Sequence, residues 1–304
     1  MGDCNFGGRM IGYLWYLLVG KFATTVPMRT AYAVARFLGV LRYWQWGKGR
    51  QYVRRNLAVL LGRQAPRRMA RSVVKRTFVN FGLSIIEFFC FPRFDAEYFR
   101  THCEIFGREH IDEALRRGRG AIFLSAHFGN WEWGVAAFAS LGYPITLIGL
   151  PQPNERVDRL FTEQRGGKGV VMLPSRSGTR QALKILRQNG IMGMLGDRTP
   201  GDDGVPVNFC GRRVFFPKGP GWMAAKSGAA IIPMLDIRRK DNTFTIFCAP
   251  PMYPPQNGHD EEWILTAAQR FATFLEAYVR RYPELWVTFF DFFARQSAEA
   301  VTSD

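Results

Sequence analysis

Residues 121–141 read AIFLSAHFGNWEWGVAAFASL. The first five are uncharged and mostly large and apolar, the pattern of a strand buried on both faces. Gly129 and Asn130 then interrupt the run, Gly129 as the residue of a tight turn and Asn130 as a helix N-cap. Trp131–Leu141 reads as the helix that follows. A buried strand passing through a short turn into a helix is the first half of a βαβ unit, and the same rhythm continues downstream. Strands are predicted over 145–149, 170–173, 191–195, 230–237 and 244–248, and helices over 156–164, 179–188, 220–226 and 261–281. This alternation predicts an α/β fold with a mixed, largely parallel sheet flanked by helices. Ligands in such sheets collect beyond the carboxyl ends of the strands.

His127 lies just past the end of the first of these strands, and Glu132 lies five residues on, in the first turn of the helix. A carboxylate folded back onto an imidazole holds one ring nitrogen protonated and leaves the other free to take a proton. The spacing therefore predicts His127 as a general base and Glu132 as the group that orients it. The helix N-terminus would direct backbone amides at a developing oxyanion. Arg165 can grip a phosphate or carboxylate with its fork. Asp197, following strand 191–195, is expected to orient Arg165 or a bound substrate, and Arg198 to add positive charge to the cleft. Asp202 and Asp203 form a carboxylate pair in a glycine-rich turn and are expected to be solvated. Cys210 is expected to be a small apolar filler.

Upstream of residue 100 the character changes. Helices are predicted over 48–62 and 66–91, the second with Met69, Val73, Phe78, Phe81, Ile85 and Phe89 at helical spacing. Residues 4–86 hold fifteen Lys and Arg and no Asp or Glu, which leaves 26 basic against 25 acidic residues in the rest of the 304-residue chain. The formal charge of +16 is thus almost wholly N-terminal. Two apolar runs lie inside that cationic segment, MIGYLWYLLVG at 10–20 and TAYAVARFLGVL at 30–41, separated by Pro27 and Arg29. Each is shorter than the roughly 20 residues needed to span a bilayer. Apolar runs flanked by Arg, Trp and Tyr predict an N-terminal hydrophobic, membrane-associated helical segment on an anionic membrane surface. Residues 1–45 would form that segment and 46–304 the catalytic α/β domain. Charge confined to the apolar N-terminal part argues against a nucleic-acid groove in the α/β part.

The five cysteines are scattered, without a C-x-x-C or Cys/His pairing, so neither a zinc site nor a disulfide framework is expected. G-x-S-x-G, H-E-x-x-H and P-loop motifs are also absent. With no nucleophile candidate beside His127, base-assisted attack by a bound substrate is favoured over a covalent enzyme intermediate. No metal or organic cofactor is expected.

H-x4-E alone is a weak signal, but it does not stand alone. RGAIFLSAHFGNWEWG (119–134) resembles the catalytic block of the bacterial lysophospholipid acyltransferase superfamily, in its lipid A late acyltransferase branch. Further blocks follow that family's order: RRNLAVLL (54–61), Arg165 and Gly169, LPSRSGTRQALKILRQNGIMGMLGDR (173–198), VPVNFCGRRVFFPKGP (205–220) and RRYPELW (280–286). The resemblance implies an O-acyltransferase in which His127 activates a hydroxyl of a lipid acceptor and acyl carrier protein or acyl-CoA is the donor. It implies lipid A (lipopolysaccharide) biosynthesis at the cytoplasmic face of a bacterial inner membrane. It also places Asn130, Arg165, Asp197, Arg198 and Gly211 in the substrate region. Two departures bear on the acceptor. Asp197-Arg198 stands where the lipid A enzymes usually have Asp-Gln, and WVTFFDFF (286–293) replaces a Trp-x-x-basic ending. Both look closer to a related branch, so another glycolipid, an aminolipid or an aryl polyene precursor is an alternative acceptor. A basic membrane-binding protein without enzymatic activity is the alternative in which His127 is structural.

Overall fold

A computed structural model of the chain describes residues 6–62, 67–149, 152–174, 178–199, 204–256 and 260–294. Its centre is β2 (Ala121–Ser125), flanked in parallel by β5 (Ile191–Leu195) and β8 (Ala230–Arg238). Side chains of β2 alternate between two apolar layers: Ile122 and Leu124 enter one, Ala121 and Phe123 the other. Burial on both faces explains why the strand carries no polar residue before Ser125.

The full sheet has seven strands, in spatial order β1 (Cys103–Phe106), β9 (Phe244–Cys248), β8, β2, β5, β3 (Ile145–Gly149) and β4 (Val171–Pro174). Every neighbouring pair is parallel except β8 with β9. The strands and helices expected from residue 121 onward are present within one or two residues of their predicted limits. Helices α5 (Ala96–His102) and α6 (Arg108–Arg116), strand β1 and the hairpin of β6 (Gly204–Phe209) and β7 (Arg212–Pro217) are not predicted by the sequence pattern. β1 is only four residues long and partly exposed, too short for its alternation to stand out in the sequence. The antiparallel hairpin turns at Cys210 and Gly211, which both have positive φ. The short helix α6 covers the β1 side.

Both faces of the sheet are covered. One carries α9 (Thr179–Arg187), α10 (Gly219–Ser227), α11 (Asp260–Arg281) and the hairpin. The other carries α7 (Trp131–Ser140), α6, α5 (Ala96–His102), α8 (Glu155–Gly166) and the C-terminal half of α4 (Arg67–Cys90). The crossovers bring the carboxyl ends of β2, β3, β4 and β5 to one edge of the sheet, as parallel topology requires.

The N-terminal part is helical: α1 (Phe6–Thr25), α2 (Met28–Gln45) and α3 (Gly47–Leu61). α2 lies against α4 through Ala31, Ala35 and Gly39, a stripe four residues apart. A Cβ on Gly39 would come within 2.8 Å of the Val79 backbone, and one on Gly82 within 2.9 Å of the Ala35 carbonyl. The two backbones touch, and only glycine fits at the crossing. The outer faces of α1 and α2 expose Trp15, Leu18, Phe37 and Trp44, each more than half accessible. Among the described residues no helix is long and apolar enough to cross a membrane.

Candidate active site

The register of the central strands sets the geometry. Ser125 of β2 pairs with Leu195 of β5, and the Gly196 N–H donates to the Ser125 carbonyl at 2.8 Å. Two residues beyond that pair, His127 and Asp197 therefore face each other. One Asp197 carboxylate oxygen accepts both the backbone N–H of His127 at 3.1 Å and its Nδ1 at 2.8 Å. The other accepts Trp286 Nε1–H at 3.2 Å. An ionised carboxylate can only accept, so Nδ1 carries the proton and Nε2 is the basic nitrogen. Asp197 is fully buried, and burial alone would raise its pKa. The facing imidazole, Arg198 and the Trp286 hydrogen bond outweigh that and hold the carboxyl well below its usual range.

The partner of His127 is thus Asp197 and not Glu132, which corrects the expected pairing. Glu132 sits on the first turn of α7 and reaches across to α8. Its two oxygens accept the Nε and Nη2 of Arg165 at 2.9 and 2.7 Å. The fork is closed within the protein, with side-chain exposures of 18% for Glu132 and 15% for Arg165. A strand end reaches its neighbour strand directly, whereas a helix-borne carboxylate points along the helix surface.

Asn130 is likewise not at a substrate surface. It caps α7 by accepting the Trp133 N–H at 3.2 Å, donates its amide to Glu87 at 2.6 Å, and is 1% exposed. Its own N–H donates to Asp236 at 2.5 Å. Glu87 also accepts Tyr32 O–H at 3.0 Å and pairs with Arg238, so the turn after β2 is pinned from α2, α4 and β8 at once. Gly129 has φ +63°, and a Cβ there would meet the Asp236 carbonyl at 2.0 Å, so the turn admits no side chain. Gly211 lies at the hairpin tip, exposed, with open space where a Cβ would go. Six residue steps, roughly 20 Å of extended chain, separate it from Pro217, which lines the cavity at the strand ends. Cys210 is buried beside it, and burial pushes its thiol up to about 12. Asp202 and Asp203 lie outside the described residues.

A cavity of about 810 Å³ opens along this edge, within the range of ligand sites. His127, Glu132, Arg165, Arg198 and Asp236 contribute its charged or ionisable lining. Val135, Phe138, Leu147, Met172, Met194 and Met234 supply much of the apolar lining. The His127 ring packs edge-on against Trp131, with centroids 5.0 Å apart. Arg198 lies over the Phe290 ring and donates through Nη2 to the Val287 carbonyl.

In the C-terminal segment Trp286, Phe292 and Phe293 are buried. Its part in the site was missed. Trp286 holds Asp197, and the Val287 N–H donates to the His127 carbonyl at 2.8 Å. Asn56 of α3 fixes the segment by donating to the Phe290 carbonyl at 2.8 Å and accepting the Phe292 N–H at 3.0 Å. The only signal in the chain was a buried-type Trp following RRYPEL.

A buried carboxylate–imidazole pair at the edge of a largely apolar cavity suits deprotonation of a hydroxyl beside a long apolar substrate. Comparison with known proteins agrees. Residues 8–295 match the family model described as bacterial lipid A biosynthesis acyltransferase. The chain is 28% identical over 77% of its length to the phosphatidylinositol mannoside acyltransferase of Mycolicibacterium smegmatis, 77% of which is covered. It is 27% identical over 63% of its length to the protein of that name from Mycobacterium tuberculosis, with 62% covered. It is 24% identical over 81% of its length to the lipid A biosynthesis lauroyltransferase of Escherichia coli, with 78% covered. The chain belongs to the bacterial lipid A biosynthesis acyltransferase family. It is an acyltransferase that acts on lipid acceptors.

Proposed function

We propose that the chain transfers a fatty acyl group from a thioester donor, acyl carrier protein or acyl-CoA, to a sugar hydroxyl of a phosphorylated glycolipid. A lipid A precursor is the expected acceptor. The observation that carries the mechanism is the 2.8 Å contact between His127 Nδ1 and buried Asp197 at the edge of the cavity. His127 Nε2 takes the acceptor proton as the oxygen attacks the thioester carbonyl carbon. When the C–S bond breaks, the same nitrogen returns the proton to the departing thiolate. Asp197 keeps the tautomer correct and balances the imidazolium. Glu132 closes the Nε/Nη2 fork and fixes Arg165 at the cavity wall, so that its remaining N–H groups select a phosphorylated or acidic head group. The apolar wall, rich in methionine and phenylalanine, takes the acyl chain, each buried CH₂ contributing about 0.8 kcal/mol.

Residues 1–45 dock the enzyme on the anionic cytoplasmic face of a bacterial inner membrane. Exposed Trp15, Leu18, Phe37 and Trp44, within residues 4–86, which hold no Asp or Glu, support this reading. The second reading of the acceptor is a phosphatidylinositol mannoside or similar glycolipid, favoured by the names of the relatives at 27–28% identity. The test is acyl transfer by the purified protein in mixed vesicles, using palmitoyl-CoA and palmitoyl-carrier protein against each acceptor. Transfer to a lipid A precursor, abolished by His127→Ala, is the expected result. Transfer confined to the mannoside moves the assignment to the second reading. Activity of His127→Ala within threefold of wild type overturns the mechanism.

A further inference from the structure

We propose that Arg198 binds the oxyanion of the tetrahedral intermediate, through the edge of its guanidinium that carries Nε. The inference rests on the acyl-transfer reading above.

Three observations point to it. Val287 straps Arg198 to the base: its N–H donates to the His127 carbonyl at 2.8 Å, and its carbonyl accepts Arg198 Nη2. The guanidinium is therefore one residue's width from the backbone that carries the imidazole. Secondly, Arg198 Nε is the only buried side-chain nitrogen or oxygen without a hydrogen-bond partner among the described residues. Leaving a charged donor buried in that state is costly, and a substrate oxygen would satisfy it. Thirdly, Arg198 and His127 line the same cavity. The adjacent carboxylate, Asp197, is already occupied by His127 and Trp286. Burial also lowers the pKa of Arg198 against the pull of Asp197, the mark of a poorly solvated cation.

The chemistry balances without another reactant. The acceptor O–H breaks, its proton goes to His127 Nε2, and a C–O bond forms at the thioester carbon. The carbonyl π pair moves onto oxygen, where Arg198 Nε–H donates to it. Collapse restores the carbonyl, breaks C–S, and the thiolate takes the proton from His127. A cation set in a low-dielectric wall before reaction stabilises that charge without reorganisation. One fixed there for a head-group phosphate would act in the ground state instead.

The two roles separate in an assay of thiol release from palmitoyl-CoA, with and without glycolipid acceptor. Oxyanion stabilisation belongs to the donor carbonyl, so it governs hydrolysis by water as well as transfer. Arg198→Gln should lower kcat for both by the same factor, about 10²–10³, with KM for donor and acceptor within about threefold. Arg198→Lys, which keeps the charge without the fork, should fall between Gln and wild type in both arms. Hydrolysis unchanged while the acceptor KM rises would make Arg198 a head-group ligand and overturn the proposal. If Arg198→Gln does not fold, Arg198→Lys decides, and equal loss in both arms is again required. Thiol release by the wild type that is no faster than by His127→Ala would sink the acyl-transfer reading and this inference with it.

Discussion

A single oxygen of Asp197 holds His127 twice, at its backbone N–H (3.1 Å) and at Nδ1 (2.8 Å), so the ring and the turn that carries it are set by one buried carboxylate. Removing the charge while keeping the shape separates orientation from packing. Asp197→Asn should reduce kcat roughly 10²–10⁴-fold, the scale of general base catalysis and of triad carboxylate-to-amide changes. The Asn amide can donate to Nδ1 and so favour the wrong tautomer. A pH series of stability on the same variant carries a sign. The folded pKa of Asp197 is depressed, so its contribution is present above its unfolded value near 4 and disappears as pH falls below it. Wild type should therefore lose stability into acid more steeply than Asp197→Asn, as read by thermal melts between pH 3 and 7.

The Glu132–Arg165 fork predicts a different signature. Glu132→Gln leaves Arg165 half-satisfied in a mostly buried position and should destabilise the fold by up to about 3 kcal/mol. The double variant Glu132→Gln/Arg165→Met should recover part of that loss. Arg165→Lys should raise KM for the acceptor and leave that of the donor nearly unchanged. Equal changes in both KM values would remove head-group selection from this pair.

Asp236 behaves oppositely to Asp197. Burial raises its pKa to about 7, with the Asn130 N–H only partly opposing. A carboxyl with a raised folded pKa stabilises the fold while protonated. That contribution is lost as pH climbs from the unfolded value near 4 to about 7, because the unfolded state releases its proton first. Asp236→Asn should accordingly gain more thermal stability over wild type at pH 8 than at pH 5. A larger gain at pH 5 would contradict the assignment.

The outer faces of α1 and α2 predict mixed binding to lipid. Phe37→Asp/Trp44→Asp should lower the fraction of protein floating with vesicles containing about 30% anionic lipid, a composition chosen so that basic residues near the surface contribute roughly 1 kcal/mol each. Salt at about 1 M should release the variant more readily than the wild type, because screening acts on charge and not on apolar burial. Equal flotation of both proteins would place the contact elsewhere.

The sequence by itself determined the α/β class, the position of His127 beyond a buried strand and the segregation of charge. Each depends on local pattern: a doubly buried strand must be apolar along its length, as 121–125 is, and a glycine turn into a capped helix is written in Gly129 and Asn130. It also carried Arg165 to the right cavity. Only the tertiary structure decided who partners whom. Asp197 is 70 residues from His127 and meets it because β5 pairs with β2 in a register that makes Ser125 and Leu195 neighbours. Glu132, five residues away, points past the ring to Arg165 on α8. Trp286 and Val287 reach the site from the far end of the chain, held by Asn56. Sequence proximity places a side chain on an element, but hydrogen bonding between strands and the packing of helices on the sheet choose which polar groups share a buried volume.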